Sequence, residues 1–351
     1  MSLVRITAAE AMQRLGEFDT LIDARSQAEY EEDRLPGAVN WPSLDDAQRH
    51  RIGTLYKQVS PFEAKKQGAA LVAANIARHI EREVLDKPKG WQPLVYCWRG
   101  GKRSGALALV LDQIGFRVHW LDGGYKAFRT QLLAQLPALA QCLSYRVVCG
   151  PTGSGKTRLL QALAEAGAQV LDLEALAQHR SSVLGLAPGE TQPSQKQFDT
   201  RIWERLRGFD PARVVWVESE SKKVGNVAVP EALISAMRAS PCFHLALRDE
   251  ERVALLLEDY DWFVKDPEHF CSRLDALAEL RGRGVVREWQ DRVRAGFTSQ
   301  VVQELLVQHY DPMYAASIRR NFAQWESART VEAASRAPSA MRDLARVLIE
   351  A

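Results

Sequence analysis

Residues 95–104 read VYCWRGGKRS, in which an apolar run ends at a cysteine and a loop rich in glycine and positive charge follows. The apolar run predicts a buried strand, and the Ala, Leu and Val residues after Ser104 recur at helical spacing. Cys97 would then lie at a helix N-terminus, where backbone N–H groups and the helix dipole attract an anion. The residues that we predict to bind such an anion are Trp98, Arg99, Gly100, Gly101, Lys102, Arg103 and Ser104.

The surroundings of Cys97 favour a nucleophile. A thiol near three cationic side chains and a helix N-terminus ionises more easily than a free thiol, and the thiolate is the reactive form. The alternative is a buried structural cysteine, since free cysteine is among the most buried residue types. Buried cysteines rarely stand among so many charges, so the sequence predicts a reactive Cys97.

The composition indicates a soluble globular protein of two domains. The chain has 351 residues, of which 46% are hydrophobic and 26% charged, and its net charge is +2. This length is more than one hydrophobic core usually accommodates, so we expect two domains. No apolar run approaches the ~20 residues that span a bilayer, and the N-terminal sequence MSLVRITAAEAMQRL has no signal-peptide core. Five cysteines without metal-ligand spacing argue against disulfides and zinc. We therefore expect a cytoplasmic protein without a membrane or DNA partner.

Strands alternate with helices in the first part of the chain, which predicts a parallel sheet with functional loops at the carboxyl ends of its strands. The pieces LIDARSQAEY, LPGAVNWP, VYCWRGG and LDGGYKAFR resemble a rhodanese (sulfurtransferase) domain, which we assign to residues 1–135. In that family the loop cysteine carries a persulfide, and the resemblance gives Cys97 this role. Asp23 and Arg25 match family positions near the loop, although a strand-end turn with a surface ion pair explains them equally well.

One departure concerns the length of the loop. Cys97 to Arg103 reads C-x5-R, one residue longer than in a typical rhodanese. The length matches that of the related cysteine phosphatases, whose loop surrounds a tetrahedral phosphate. We infer that the loop holds a phosphate-sized donor.

A P-loop follows the predicted linker 136–144, which we expect to be helical with Pro137 inside it. The P-loop opens a second α/β domain, residues 145–351, which becomes helical towards its end. The apolar strand YRVVC (145–149) leads into GPTGSGKT (150–157) and a helix. Backbone N–H groups of such a loop surround phosphates, Lys156 reaches the terminal ones and Thr157 can hold Mg²⁺. The residues that we predict to cradle phosphate are Gly150, Gly153, Ser154, Gly155 and Thr157.

An apolar strand at 214–217 ends at Glu218, which resembles the acidic residue that positions a metal or water in P-loop enzymes. The usual residue is Asp, so hydrolysis stays open. Ser219, Lys222 and Lys223 follow and are predicted to neutralise phosphate. Loops at 179–182 (HRSS) and 192–195 (QPSQ) are either turns or functional. The arginines of 281–294 either contact RNA or form a solvated helix face.

The whole chain resembles the tRNA 2-selenouridine synthases. The resemblance rests on the order of the two domains and on YCWRGGKRS, GTLYKQVSPFEAKKQGAAL, GPTGSGKT, HRSSVLG, QPSQKQFD, VESESKKVG and HYDPMY. It implies an enzyme that acts on the wobble uridine, position 34, in the anticodon stem-loop of tRNA. Sulfur of 2-thiouridine would be replaced by selenium from selenophosphate, through an S-geranyl intermediate made from geranyl diphosphate.

These implications give each predicted catalytic residue a role. We expect Lys156, with Glu218 and Mg²⁺, to hold the diphosphate, and Cys97 to accept selenium as a perselenide while Arg103 holds phosphate. Two alternatives stay open. One is a P-loop kinase or ATPase fused to a phosphatase-like domain. The other is a non-catalytic RNA-binding or sulfur-carrier scaffold, in which Cys97 only relays a persulfide to a partner.

Overall fold

The computed structural model describes residues 3–179 and 191–350. The chain forms two compact units, one of Met1–Gln135 with Ser194–Glu204 and the other of Leu136–Pro193 with Arg205–Ala351. Each unit is built on a parallel β-sheet flanked by helices. The predicted α/β class, with a helical C-terminal part, is confirmed.

In the described residues of the first unit, five parallel strands have the order β1-β5-β4-β2-β3. The strands are β1 (Val4–Ile6), β2 (Thr20–Asp23), β3 (Val39–Asn40), β4 (Pro93–Tyr96) and β5 (His119–Leu121). The helices are α1 (Ala8–Gln13), α2 (Gln27–Glu32), α3 (Asp46–Gln58), α4 (Pro61–Glu83), α5 (Lys102–Ile114) and α6 (Gly124–Gln141).

Strand β4 lies at the centre of this sheet, and all four of its residues are buried. A strand that is covered on both faces reads as a continuous apolar run, which explains the signal PLVY before Cys97. Since the strands are parallel, the segments that follow β4, β2 and β5 meet at one edge of the sheet. The Cys97 loop (residues 97–104) therefore lies beside the turn 122–124.

The described residues of the second unit contain a parallel sheet in the order β12-β11-β6-β8-β7 and an antiparallel hairpin, β9-β10. The strands are β6 (Tyr145–Cys149), β7 (Gln169–Leu171), β8 (Val215–Glu218), β9 (Lys223–Val224), β10 (Val227–Ala228), β11 (Cys242–Ala246) and β12 (Arg329–Glu332).

The helices that follow α6 begin with α7 (Lys156–Glu165), α8 (Leu173–Ala177), α9 (Gln195–Arg207), α10 (Glu231–Arg238), α11 (Asp249–Asp259) and α12 (Asp261–Lys265). They continue with α13 (Pro267–Leu274), α14 (Ala278–Arg281), α15 (Arg283–Arg294), α16 (Thr298–Leu305), α17 (Asp311–Asn321) and α18 (Pro338–Glu350). A π-helical turn, Leu306–Tyr310, joins α16 to α17.

Residues 136–141 are helical, as the sequence predicts, and complete α6 with Pro137 inside it. Burial of Leu136 and Ala140 favours this helix against the ~3 kcal/mol that an interior proline costs. One feature differs from the division made on the sequence. The start of α9 returns to the first unit, where Trp203 packs edge-on against Phe128 with ring centroids 5.8 Å apart. The sequence carries no local signal for this return. Among the described helices, none is long and apolar enough to cross a membrane.

Candidate active sites

Cys97 lies at the end of β4 with its side chain nearly buried, 3% exposed. Two donors point at its sulfur. The backbone N–H of Gly101, the residue that caps α5, lies 3.3 Å from Sγ, and the hydroxyl of Ser104 lies 3.0 Å from it. Hydrogen-bond donors aimed at sulfur stabilise negative charge there, so the geometry suits a thiolate nucleophile.

Trp120 orients the hydroxyl of Ser104. The indole Nε1–H donates to Ser104 Oγ at 2.9 Å, and an indole nitrogen can only donate. The serine oxygen therefore accepts this bond and keeps its own hydrogen for Cys97 Sγ or for the carbonyl of Gly101, 3.3 Å away. The Trp120 ring is held by Arg5, whose guanidinium carbon lies 4.7 Å from its centroid.

The backbone behind the Cys97 loop requires glycine at two positions. Gly100 has φ +61°, and a Cβ there would lie 2.5 Å from the carbonyl oxygen of Leu121. Gly124 has φ +58°, and its Cβ would lie 2.2 Å from the carbonyl oxygen of Cys97. The Tyr125 N–H then donates to that same oxygen at 2.8 Å. These contacts explain the second glycine of the sequence DGGY and fix the position of the cysteine.

The Arg103 guanidinium is held by Glu29 of α2. Its two terminal nitrogens lie 2.6 and 3.3 Å from the carboxylate oxygens, and Arg49 contacts the same carboxylate at 2.8 Å. Burial alone would raise the pKa of Glu29, but the Arg103 hydrogen bond and the two arginine charges outweigh it and lower the pKa to about 2. The pair is therefore ionised at neutral pH, and Arg103 stands fixed at the start of α5.

The remaining predicted residues of this loop differ in exposure. Arg99 and Lys102 are exposed, whereas Trp98 is half-buried with its ring centroid 5.5 Å from that of Tyr125. Asp23 and Arg25 form a fully buried ion pair, 2.6 Å between Arg25 Nη2 and Asp23 Oδ2, so the expectation of a surface pair is wrong. The guanidinium carbon of Arg25 also lies 4.1 Å from the ring centroid of Tyr125, the residue whose N–H donates to the carbonyl oxygen of Cys97.

The P-loop follows strand β6 and leads into α7, as predicted. Gly153 and Gly155 have positive φ, +77° and +89°, and a Cβ on Gly155 would lie 2.7 Å from Met341 Cε. The Lys156 ammonium lies 2.7 Å from the carbonyl oxygen of Gly150. Ser154 is buried, and its hydroxyl has no hydrogen-bond partner among the described residues.

A cavity of about 480 Å³ opens at this loop. We call it the P-loop cavity; its walls include Gly153, Ser154, Gly155, Lys156, Thr157, Glu174, Ser219, Glu220 and Tyr314. Thr157 Oγ1 donates to Glu174 Oε2 at 3.2 Å. A backbone nest with a lysine and a hydroxyl is suited to bind a diphosphate or triphosphate.

A smaller apolar recess of about 40 Å³ adjoins the P-loop cavity. Thr152, Leu256, Tyr260 and Tyr310 line both spaces. The recess is completed by Leu257, Phe263, Phe270, Thr298, Val302, Leu305 and Leu306. Its wall is almost entirely hydrocarbon, so it suits an apolar group attached to a phosphate.

Two side chains from the helical part brace the P-loop. Arg252 of α11 donates to the carbonyl oxygen of Thr152 at 2.9 and 3.2 Å and contacts the Asp311 carboxylate at 2.6 Å. Tyr314 of α17 accepts the N–H of Gly150 at 2.6 Å, and burial raises the pKa of this phenol. The motif HYDPMY thus holds the loop in place, a role that the sequence did not reveal.

Comparison with known proteins agrees with this arrangement. Residues 7–131 match the model of the rhodanese-like domain, and residues 143–275 match that of the tRNA 2-selenouridine synthase AAA domain. The chain is 31% identical to the tRNA 2-selenouridine synthase of Marinobacter nauticus, over 84% of this chain and 87% of that protein. It is 32% identical to that of Shewanella denitrificans, with the same coverage.

This chain belongs to the tRNA 2-selenouridine synthase family. A further relative, the synthase of Alcanivorax borkumensis, is 32% identical over 86% of this chain and 90% of its own length. The resemblance found in the sequence is therefore confirmed, and each matched region contains one of the two loops, the Cys97 loop or the P-loop.

Glu218 does not line the P-loop cavity in this family member. Its Oε1 accepts the N–H groups of Leu173 and Glu174, 2.6 and 2.9 Å away, and so caps helix α8. Burial, reinforced by the nearby carboxylates Asp172, Glu220 and Glu174, raises the pKa of Glu218 well above its usual value. The structure therefore does not place Glu218 in the cavity wall, where its catalytic role was predicted; Glu174, Glu220 and Asp259 are the acidic residues that line the cavity.

Lys222 and Lys223 also lie outside the cavity wall. The Lys222 ammonium pairs with Glu231 at 2.8 Å on the surface, and Lys223 is an exposed residue of the short hairpin strand β9. The structure therefore does not place these two lysines in the wall of the P-loop cavity, where their phosphate contact was predicted. Ser219 does line the cavity, with its hydroxyl 3.4 Å from that of Tyr314.

The structure describes only part of the other two predicted loops, and it shows the contacts of some of the arginines. Arg180, Ser181 and Ser182 lie outside the described residues. Gln192 donates to the carbonyl oxygens of Ala177 and Val224 and so ties the β9-β10 hairpin to α8. In α15, Trp289 is buried, and Arg292 and Arg294 pair with Glu304 and Glu268.

The bracing role of Tyr314 can be tested by removing its hydroxyl. In Tyr314→Phe the Gly150 N–H loses its acceptor inside the protein, which costs about 1–3 kcal/mol. We expect urea denaturation to show this loss of unfolding free energy. Tyr56→Phe is the matched control, because Tyr56 is exposed, and it should change stability by less than about 0.5 kcal/mol. Equal stability of the two variants would contradict the proposed brace.

Proposed function

We propose that this protein replaces the C2 sulfur of 2-thiouridine at the wobble position of tRNA by selenium, through an S-geranyl intermediate. The proposal rests on the presence of two features in one chain whose relatives are named tRNA 2-selenouridine synthases. One is Cys97 with hydrogen-bond donors at its sulfur, and the other is the P-loop cavity with its apolar recess. Geranyl diphosphate and selenophosphate are the proposed co-substrates. The diphosphate of geranyl diphosphate would bind at the P-loop, and the phosphate of selenophosphate at the Cys97 loop.

The first reaction is geranyl transfer in the P-loop unit. The thiocarbonyl sulfur attacks C1 of the geranyl group, the S–C bond forms, and the C1–O bond breaks with its electron pair on the diphosphate. The N3 proton of the nucleoside leaves to solvent. Negative charge grows on the departing diphosphate, and the Lys156 ammonium and the backbone N–H groups of the P-loop stabilise it.

Mg²⁺ fits the same wall of the cavity. It binds through one or two protein oxygens together with substrate phosphates, and the adjacent oxygens of Thr157 and Glu174 supply such a pair. When bound, the ion adds positive charge against the diphosphate. The buried carboxylate of Glu218 would keep Glu174 in place.

The apolar recess favours a prenyl diphosphate over a nucleotide. A nucleobase and ribose need polar partners when they are buried, whereas the recess offers aliphatic and aromatic side chains such as Leu256, Phe263 and Val302. A prenyl chain gains from leaving water, at about 25 cal/mol per Å² of apolar surface. We therefore place the diphosphate at the P-loop and the far end of the geranyl chain in the recess.

The second reaction takes place at the Cys97 loop. The sulfur of a thiocarbonyl is a poor leaving group. Geranylation converts it into a thioether sulfur, which can leave C2 as geranylthiol. Selenium from selenophosphate then takes its place at C2. The phosphate-sized C-x5-R loop, Arg103 and the donors around Cys97 Sγ support selenophosphate as the donor at this site.

Removal of the P-loop ammonium tests the first reaction. In Lys156→Ala we expect geranyl transfer to 2-thiouridine tRNA to fall by at least about a hundredfold, the usual effect of losing one group that stabilises developing charge. Lys222→Ala is the control, since Lys222 lies on the surface outside the cavity wall. Nucleoside mass spectrometry measures the product. Intact geranylation in Lys156→Ala, together with loss of an ATPase activity, would refute the assignment and favour a kinase-like enzyme.

The recess predicts a preference for prenyl chain length. Val302→Phe fills the recess, so we expect the rate with geranyl diphosphate relative to that with dimethylallyl diphosphate to fall by about tenfold. The shorter substrate has the same reacting carbon and the same diphosphate, and it reports whether the variant is folded. Val307→Phe introduces the same side chain at an exposed position and should keep the wild-type ratio. An unchanged ratio in Val302→Phe would place the chain elsewhere.

A further inference from the structure

The Cys97 loop combines the sequence C-x5-R with a serine hydroxyl at the cysteine sulfur, and the formation of a perselenide on Cys97 would not require this combination. The sequence C-x5-R is followed directly by Ser104, whose hydroxyl lies 3.0 Å from Cys97 Sγ. We propose that Cys97 attacks the phosphorus of selenophosphate, which forms a phosphocysteine and releases selenide as the nucleophile for C2. This inference rests on the proposed function, because it requires selenophosphate as the donor.

The loop is built to receive a phosphoryl group. Its length is that of loops that surround tetrahedral phosphate, and α5 begins at Lys102 with its free N–H groups at the same end. The Arg103 guanidinium has five N–H donors, and its two bonds to Glu29 leave donors for phosphoryl oxygens. Glu29 is therefore a positioning residue for Arg103.

Attack at phosphorus balances without any further reactant. The Cys97 S–P bond forms, and the P–Se bond breaks with its electron pair on selenium, which departs as hydrogen selenide ion. This ion attacks C2 of the S-geranyl nucleoside; the C2–Se bond forms and the C2–S bond breaks with its pair on sulfur. Geranylthiolate takes a proton from solvent, and the selenol proton moves to N3.

Hydrolysis of the phosphocysteine completes the cycle. Water attacks phosphorus, the S–P bond breaks, and phosphate leaves while the thiolate is restored. The Ser104 hydroxyl and the Gly101 N–H donate to the sulfur as it takes up charge. No atom changes its oxidation state during the sequence.

Attack at selenium has different requirements. The electron pair of the P–Se bond would stay on phosphorus, so the product would be phosphite. The perselenide would deliver selenium to C2 still bonded to Cys97, and a separate thiol would have to reduce that S–Se bond. The two routes therefore differ in the phosphorus product, in the need for a reductant and in the element that becomes bound to the protein.

The decisive experiment incubates the whole chain with selenophosphate in two samples. The phosphorus atom is labelled in one sample and the selenium atom in the other, and acid stops both reactions. We expect the phosphorus label alone to be retained, on the peptide that contains Cys97, and phosphorus NMR to show phosphate as the product without added thiol. Retention of selenium, or release of phosphite, would overturn the inference while leaving the proposed function intact. If the protein does not consume selenophosphate, both the phosphocysteine inference and the proposed function are contradicted.

Ser104→Ala provides a second test. Without the hydroxyl the thiolate is a poorer leaving group, so after a chase with unlabelled selenophosphate the phosphorus label should decay at least about tenfold more slowly than in wild type. Ser240→Ala is the control, since that hydroxyl bonds to the carbonyl of Ala236 in the other unit. Equal decay rates in Ser104→Ala and wild type would count against the role given to Ser104.

Discussion

Both candidate sites depend on one constraint: a loop of backbone N–H groups, of the kind that suits phosphate, is held at the carboxyl end of a central parallel strand. Strand β4 leads into the Cys97 loop and strand β6 into the P-loop, and each loop passes directly into a helix. A strand in the middle of a sheet is fixed by neighbours on both sides, so it holds the loop that follows it rigidly. The anionic parts of both proposed co-substrates can then be bound without reorganisation of the protein.

The chemical order of the proposed reaction explains why one chain needs two such loops. Sulfur in a thiocarbonyl leaves poorly, and a prenyl group turns it into a thiol leaving group. The diphosphate of one donor therefore meets a lysine and a P-loop, whereas the phosphate of the other meets a cysteine. A nucleophile is of no use at the first site and is needed at the second, and Cys97 lies in the loop that provides donors to sulfur.

Much of this architecture could be predicted because its signals are local. The apolar runs before Cys97 and Gly150, the glycines and the helices that follow each occupy a few consecutive residues. The bracing contacts could not be predicted in this way, because their partners are far apart in sequence. Glu29 and Arg103 are separated by 74 residues, and Arg252 and Thr152 by 100. The contacts of Glu218 could not be predicted for a related reason, since an acidic residue at a strand end can also cap a neighbouring helix.

The same limit applies to the segment that returns to the first unit. Thr200 donates to the buried carboxylate of Asp33, which also accepts from Tyr125, and neither partner is marked in the sequence around α9. Such outcomes depend on the sum of tertiary contacts, and single-sequence patterns do not contain that sum.

The measurement that tests the central claim most directly is mass spectrometry of the nucleosides from 2-thiouridine tRNA incubated with geranyl diphosphate and selenophosphate. Wild-type protein is compared with Cys97→Ala. The account predicts 2-selenouridine from wild type and accumulation of S-geranyl-2-thiouridine in the variant, because the P-loop unit still transfers the geranyl group. Formation of 2-selenouridine by Cys97→Ala would contradict the division of the two reactions between the two loops.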